Sequence, residues 1–250
     1  MKKTSLIALL YREVLLLKKS VIVGVITSAS IIGISLLVIL SFRHGNLAML
    51  NDETKDMFLK DATLMIKLYS VFAACLISSI PSDTAMSDVK SSWERFRRST
   101  PVSCTEFAMA KAIVFAVAIA VSFLSGIGTM ALICACMGIS MTSFDVGMVL
   151  LILVVTSAFG VLMQTTVTLT RSQDKGGLLA VAILFPIVTL AVSPWIEQTS
   201  HLTSEERMVV GEDMLMGFLE KALPFLPFVL VGIVLIDLVD MTLIYKRREK

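Results

Sequence analysis

Few residues in this chain have types and spacings that could do chemistry, and those few lie inside apolar runs. Lys67 falls in one such run, and Asp237 and Asp240 fall in another. A charge at such a position is costly and usually faces protein or water, so it marks either a transport pathway or a buried ion pair. For Lys67 both readings stand. For the aspartates, a depth shallow enough for solvent contact is expected, with Asp240 paired to a basic residue of the rim. Four cysteines are present: Cys75, Cys104, Cys134 and Cys136. No pair has zinc-site spacing, and Cys134-Ala-Cys136 has no histidine or carboxylate beside it, so all four read as packing residues. The histidines are His44 and His201. No phosphate-binding G-x-x-x-x-G-K-[ST], no H-E-x-x-H and no G-x-S-x-G occurs. The chain therefore reads as a non-enzyme, with no cofactor or metal of its own.

The elements that hold these residues are long. Of the 250 residues, 56% are hydrophobic and 17% charged, and the mean hydropathy is +0.86. The charges cluster between six apolar runs, at 21–42, 62–80, 112–137, 146–169, 177–195 and 222–245. About 20 apolar residues cross ~30 Å of hydrocarbon, and only helices or closed barrels satisfy their backbone there. Runs this long and even are helices. The expected fold is one all-α transmembrane domain over 1–250 with six spans. The basic residues assign its orientation. Sixteen Lys and Arg lie in the N-terminal segment, the loop after the second run, the loop after the fourth and the tail. Five lie on the other side, and Lys67 is within a run. Both termini are thus expected in the cytoplasm of a multi-pass plasma-membrane protein.

The connections carry further signals. Leu6, Leu10, Val14 and Leu17 share a helical face between Lys2-Lys3 and Lys18-Lys19. Such a basic amphipathic segment either lies in the membrane interface or extends the first span. In the loop 83–111, Met86, Val89, Trp93 and Phe96 recur at helical spacing, with Arg95, Arg97 and Arg98 on the rim and Pro101 as the stop. An aromatic stripe on a cytoplasmic loop calls for cover, from the bilayer surface or from a groove on a partner protein. Ser103 to Glu106 spell a capping box opening the next helix, and Thr203 to Glu206 another, opening an acidic external helix over 204–220. Gly24-x-x-x-Ser28 and Ala29-x-x-x-Gly33 allow close helix approach, within the chain or across a dimer. Gln164 begins a polar stretch, through Thr168, that either lines a cavity or bonds to its own helix.

The loop Asp88-Val89-Lys90-x-x-Trp93-Glu94-x-Phe96, followed by Thr100-Pro101-Val102-Ser103, Glu106 and Lys111, resembles the membrane subunits of bacterial ABC transporters of the type-2 export class. That resemblance implies a dimer, either of this chain or with a similar permease, embedded in the bilayer. Each subunit would dock on a separate cytoplasmic ATPase, which would hold ATP and its Mg ion. The loop helix would be the coupling helix, formed by Val89, Trp93, Arg95, Phe96, Arg97, Arg98 and Pro101. The resemblance also implies export of amphipathic, antimicrobial or toxin peptides. Nucleic acid is not an expected partner. The rival readings are an ion-coupled transporter and a non-transporting immunity or sensory protein.

Overall fold

The computed structural model describes residues 3–44, 52–80, 82–91, 93, 102–199, 201 and 203–247. Among them the chain is helical and holds no strand. Helix α1 is Lys3–His44 and α2 is Asp52–Cys75, which tightens into a 3₁₀ turn at Leu76–Ser79. Then come α3 (Ser82–Lys90), α4 (Cys104–Met137), α5 (Ser143–Thr170), α6 (Gln173–Thr199), α7 (Ser204–Ala222) and α8 (Leu226–Arg247).

Local sequence explains where these helices start and stop. The Ser103 hydroxyl accepts from the Glu106 backbone N–H at 3.2 Å, and the Glu106 carboxylate accepts from the Ser103 N–H at 3.2 Å. The same reciprocal cap, Thr142 with Asp145, opens α5. Gly138, at φ 73°, ends α4 in the left-handed conformation that glycine tolerates.

Helices α1 and α2 run antiparallel. Ser28 donates to the Ala73 carbonyl at 2.7 Å, and Ser70 bonds Ser35 at 2.8 Å. Gly24 lies so close to Ile80 that a Cβ would come within 2.9 Å of its side chain. The first small-residue pair thus serves an intrachain contact. Gly33, of the second pair, has nothing within 4 Å of the Cβ it lacks. Helix α4 is central and packs on α1, α2, α5 and α8. At Gly126 a Cβ would meet Val149 at 2.8 Å and the Cys75 sulfur at 3.3 Å. At Gly176 it would strike the Val167 backbone at 2.7 Å, so α6 leaves α5 from near-touching distance.

The core holds Val71, Phe115, Met130, Met148, Leu153 and Leu219. Large apolar side chains also cover the outside, among them Val23, Leu124, Phe185 and Phe228. Water does not tolerate so wide an apolar exterior, whereas lipid does. Among the described residues, four helical segments are long and apolar enough to cross a membrane: Leu6–Ser41, Cys104–Met137, Ser143–Thr170 and Leu226–Arg247. A fifth joins them if Thr63–Ser79 and Ser82–Lys90, bent by 43°, form one span. Long apolar helices thus mark the chain as a membrane protein, all-helical among its described residues.

Several expected boundaries shift. The N-terminal segment is no separate interface helix; it continues unbroken into the first apolar run. At 1.5 Å per residue, α1 is about 63 Å long. Its inward face also differs from the apolar stripe. Leu17 is buried and Leu6 and Leu10 are half-buried, but Val14 is exposed, and Leu9 and Glu13 are buried instead. A cation supplied by α4 turns Glu13 inward, which apolar periodicity cannot register. Helix α2 starts at Asp52, ahead of the apolar run at 62. The sixth run does not start at Ala222, which ends α7; a turn at 223–225 contains Pro224, and Pro227 suits the first turn of α8. A helix matching the one expected at 204–220 is present as α7, Ser204–Ala222.

Candidate functional site

At one end of the bundle the start of α1, α3, the first turns of α4 and the last turns of α8 converge. Their apolar contacts are Leu9, Cys104, Phe107, Ala108, Met241 and Tyr245, with Trp93 packed against them. The Phe107 and Tyr245 rings meet edge-on at 4.9 Å. Ser103 and Glu106 set the register of this turn of α4, and that register carries Lys111 inward.

Four charges are enclosed there. Lys111, on α4, is 3% exposed and Glu13, on α1, is 1% exposed. The Lys111 ammonium lies 3.2 Å from Glu13, 2.9 Å from Asp88 of α3, and donates to the Thr84 hydroxyl at 2.8 Å. The approach to Asp88 Oδ2 is an ion-pair contact outside hydrogen-bond geometry. Arg12 pairs with Glu13 at 2.6 Å and, through its other terminal nitrogen, with Asp88. Two cations thus meet two carboxylates, and the group is neutral. Isolated charges at this depth would cost several kcal/mol each; mutual pairing and the Thr84 hydroxyl offset that cost. The arrangement is built of ion pairs. It fastens three separate stretches of chain to one another.

The same Arg12 guanidinium lies 3.9 Å from the centre of the Trp93 ring, in stacking position. Trp93 is half-buried among the chain's own residues rather than fully projecting. Val89 is also half-buried, on α3, and that helix ends at Lys90. Arg95, Phe96, Arg97, Arg98 and Pro101 lie outside the described residues.

Two further polar contacts cross the bundle. Lys67 does not stand alone: its ammonium donates to Asp145 at 2.7 Å, and both side chains are buried. The cap that opens α5 thereby anchors α2, so Lys67 has a structural role here. Gln164 donates from its amide to Asp237 at 3.0 Å. Asp237 is 1% exposed, so it is not the shallow, solvent-touching residue that the sequence implied. It lies eleven residues into α8, about 16 Å from that helix's start. Of the nearby threonines, Thr166 and Thr168 follow the plainer reading and bond to the Leu162 and Gln164 carbonyls of their own helix, whereas the Thr165 hydroxyl has no hydrogen-bond partner. Among the described residues, Asp240 makes no ion pair with the rim.

Sequence reasoning missed Arg12, Glu13 and Asp145 as partners. Asp145 carried a signal, since Thr142-x-x-Asp145 repeats the capping pattern with the shorter acid. Glu13 carried only its presence, as an acid inside a basic apolar segment.

Comparison of the chain with protein-family models, with curated proteins and with solved structures finds no match.

Proposed function

We propose that this chain is the membrane subunit of an ATP-driven exporter, working with a separate cytoplasmic ATPase that binds ATP and Mg. The observation that carries this reading is the buried ion network. It gives a loop segment, α3 to Trp93, a stiff connection to two long helices, through Arg12 of α1 and Lys111 of α4. A loop that only joined two spans would have no need for such fastening. A loop that receives force from a partner would. In this reading the chain crosses the membrane six times with both termini inside, and pairs with a second permease chain. The cargo is an amphipathic, antimicrobial or toxin peptide, an assignment that rests on the resemblance of the loop alone.

A second reading has one observation in its favour. Asp237 and Gln164 form a buried polar pair within candidate spans, the kind of site an ion-coupled transporter needs. The ion network favours the first reading, because an ion-coupled transporter has no partner to receive force from.

Capture of the tagged chain from its native membrane tests the choice. An ATP-binding subunit should come with it at a fixed ratio, and ATP hydrolysis by the pair should depend on this chain. Capture of the chain alone, with transport driven by an ion gradient, would transfer the case to the second reading. The topology is tested separately. A membrane-impermeant label should reach a cysteine placed at Glu205 in intact cells and should reach one at Lys250 only after permeabilisation. Labelling of both in intact cells would overturn the six-span arrangement.

A further inference from the structure

A groove runs between α5 and α8, beside the Gln164–Asp237 contact but separate from it. One part, about 240 Å³, is lined by Val161, Leu162, Ile233 and Ile236, together with Thr165 and Asp240. Thr165 and Asp240 also line an adjoining part, about 460 Å³, which extends past Leu169 and Leu243 to Arg247. The groove is thus apolar within, and Asp240 sits where its two parts meet.

We propose that this groove binds a single-chain cationic amphiphile, an alkylammonium whose head group pairs with Asp240 and whose chain fills the slot. Three observations carry the assignment. First, Asp240 is half-buried and has no ion-pair partner among the described residues. A carboxylate beside apolar walls attracts a cation far more strongly than one in water. Second, Thr165 places a second polar atom at the same junction, and its hydroxyl is buried without a hydrogen-bond partner. Third, the apolar part is small, about 240 Å³. An apolar cavity of roughly 150 Å³ holds one benzene ring, so this slot takes one aliphatic chain and excludes a folded peptide. Arg247 lies two helical turns along α8, at the outer end, where it repels a cation and limits affinity. The inference does not depend on the exporter reading, because it concerns occupancy of a site and not what drives transport.

The test uses the full chain in nanodiscs of phosphatidylcholine, with empty discs subtracted. Radiolabelled dodecyltrimethylammonium, below its micelle concentration, should show saturable binding at one per chain. Dodecanol and zwitterionic dodecylphosphocholine should show none. Asp240→Asn should weaken binding at least 10-fold, and Arg247→Ala should tighten it. Ala158→Leu, at the slot's wall, should abolish it. Absence of a saturable component in the native chain would overturn the proposal. So would equal binding by Asp240→Asn, or by dodecanol. Arg247→Ala faces outward and does not threaten the fold, so unchanged or weaker binding by that variant would also count against the electrostatic assignment. A cationic amphipathic peptide that binds at this groove in place of the alkylammonium would refute the single-chain assignment.

Discussion

Lys111→Met should lower the stability of the purified protein by about 3 kcal/mol, the loss usual when one partner of a buried ion group is removed. The substitution keeps an unbranched side chain of similar length, so little packing is lost. What it removes is the cation between Glu13 and Asp88, and two enclosed carboxylates are left with Arg12 alone. The change should appear as a lower midpoint of denaturant-induced unfolding in detergent micelles. A second substitution separates charge from shape. Glu13→Leu combined with Lys111→Met deletes one charge of each sign and leaves the Arg12–Asp88 pair in place. The double variant should recover most of the lost stability, because neutral apolar groups replace a matched pair. A Lys111→Met protein as stable as the native one would show that the network does not hold the bundle. A double variant as weak as the single one would show that side-chain shape matters there and charge does not.

Trp93→Ala should weaken association with the proposed ATPase about 30-fold, equal to ~2 kcal/mol, and should abolish coupled hydrolysis. Interface aromatics commonly carry losses of that size. Trp93 already contacts Arg12 within its own chain, so a control is needed. Arg12→Ala strips the same intrachain stack but leaves the indole free for a partner. Both variants should destabilise the isolated chain, whereas Trp93→Ala should lose the partner more severely. Trp93→Phe should retain much of the binding. Phe96→Ala combined with Trp93→Ala should deepen the loss, and Arg97→Ala should give a smaller, salt-sensitive defect. If the double aromatic variant co-purifies with its ATPase and keeps full coupled activity, the stripe rests on lipid and the coupling assignment fails.

The sequence was most informative where the signal is local. Ser103 and Glu106 are three residues apart, and a capping box needs nothing beyond that spacing. Thr203 and Glu206 led to α7 in the same way. The apolar runs of α4, α5 and α8 were legible because lipid demands length and apolarity and little else. The end of α2 was not legible, since Leu76–Ser79 tightens beside a distant part of the chain: a Cβ at Gly160 of α5 would lie 3.2 Å from the Ser79 backbone. Nor were the charge partners. Glu13 and Lys111 are 98 positions apart, and Lys67 and Asp145 are 78. Periodicity reports which face of a helix is apolar; it does not report that a distant cation makes an acid worth burying. Counting Arg12 and Lys111 toward the charge bias used only their sign and hid what they touch.

Those separations also impose an order on how the protein is made. A ribosome adds about 5 to 20 residues each second. Asp145 therefore emerges about 4 to 16 s after Lys67, and Lys111 emerges later still after Glu13 by the same reckoning. For those seconds the nascent α2 carries an ammonium with no counter-ion, and the start of α1 holds a carboxylate that lacks Lys111. Neither can settle in hydrocarbon cheaply during that interval. The early helices must wait at the lipid–water boundary or within the insertion machinery, and α4 and α5 admit them when they arrive. Biogenesis of this chain is then a delayed closing of two locks, in which α4 and α5 decide whether α1 and α2 stay in the membrane.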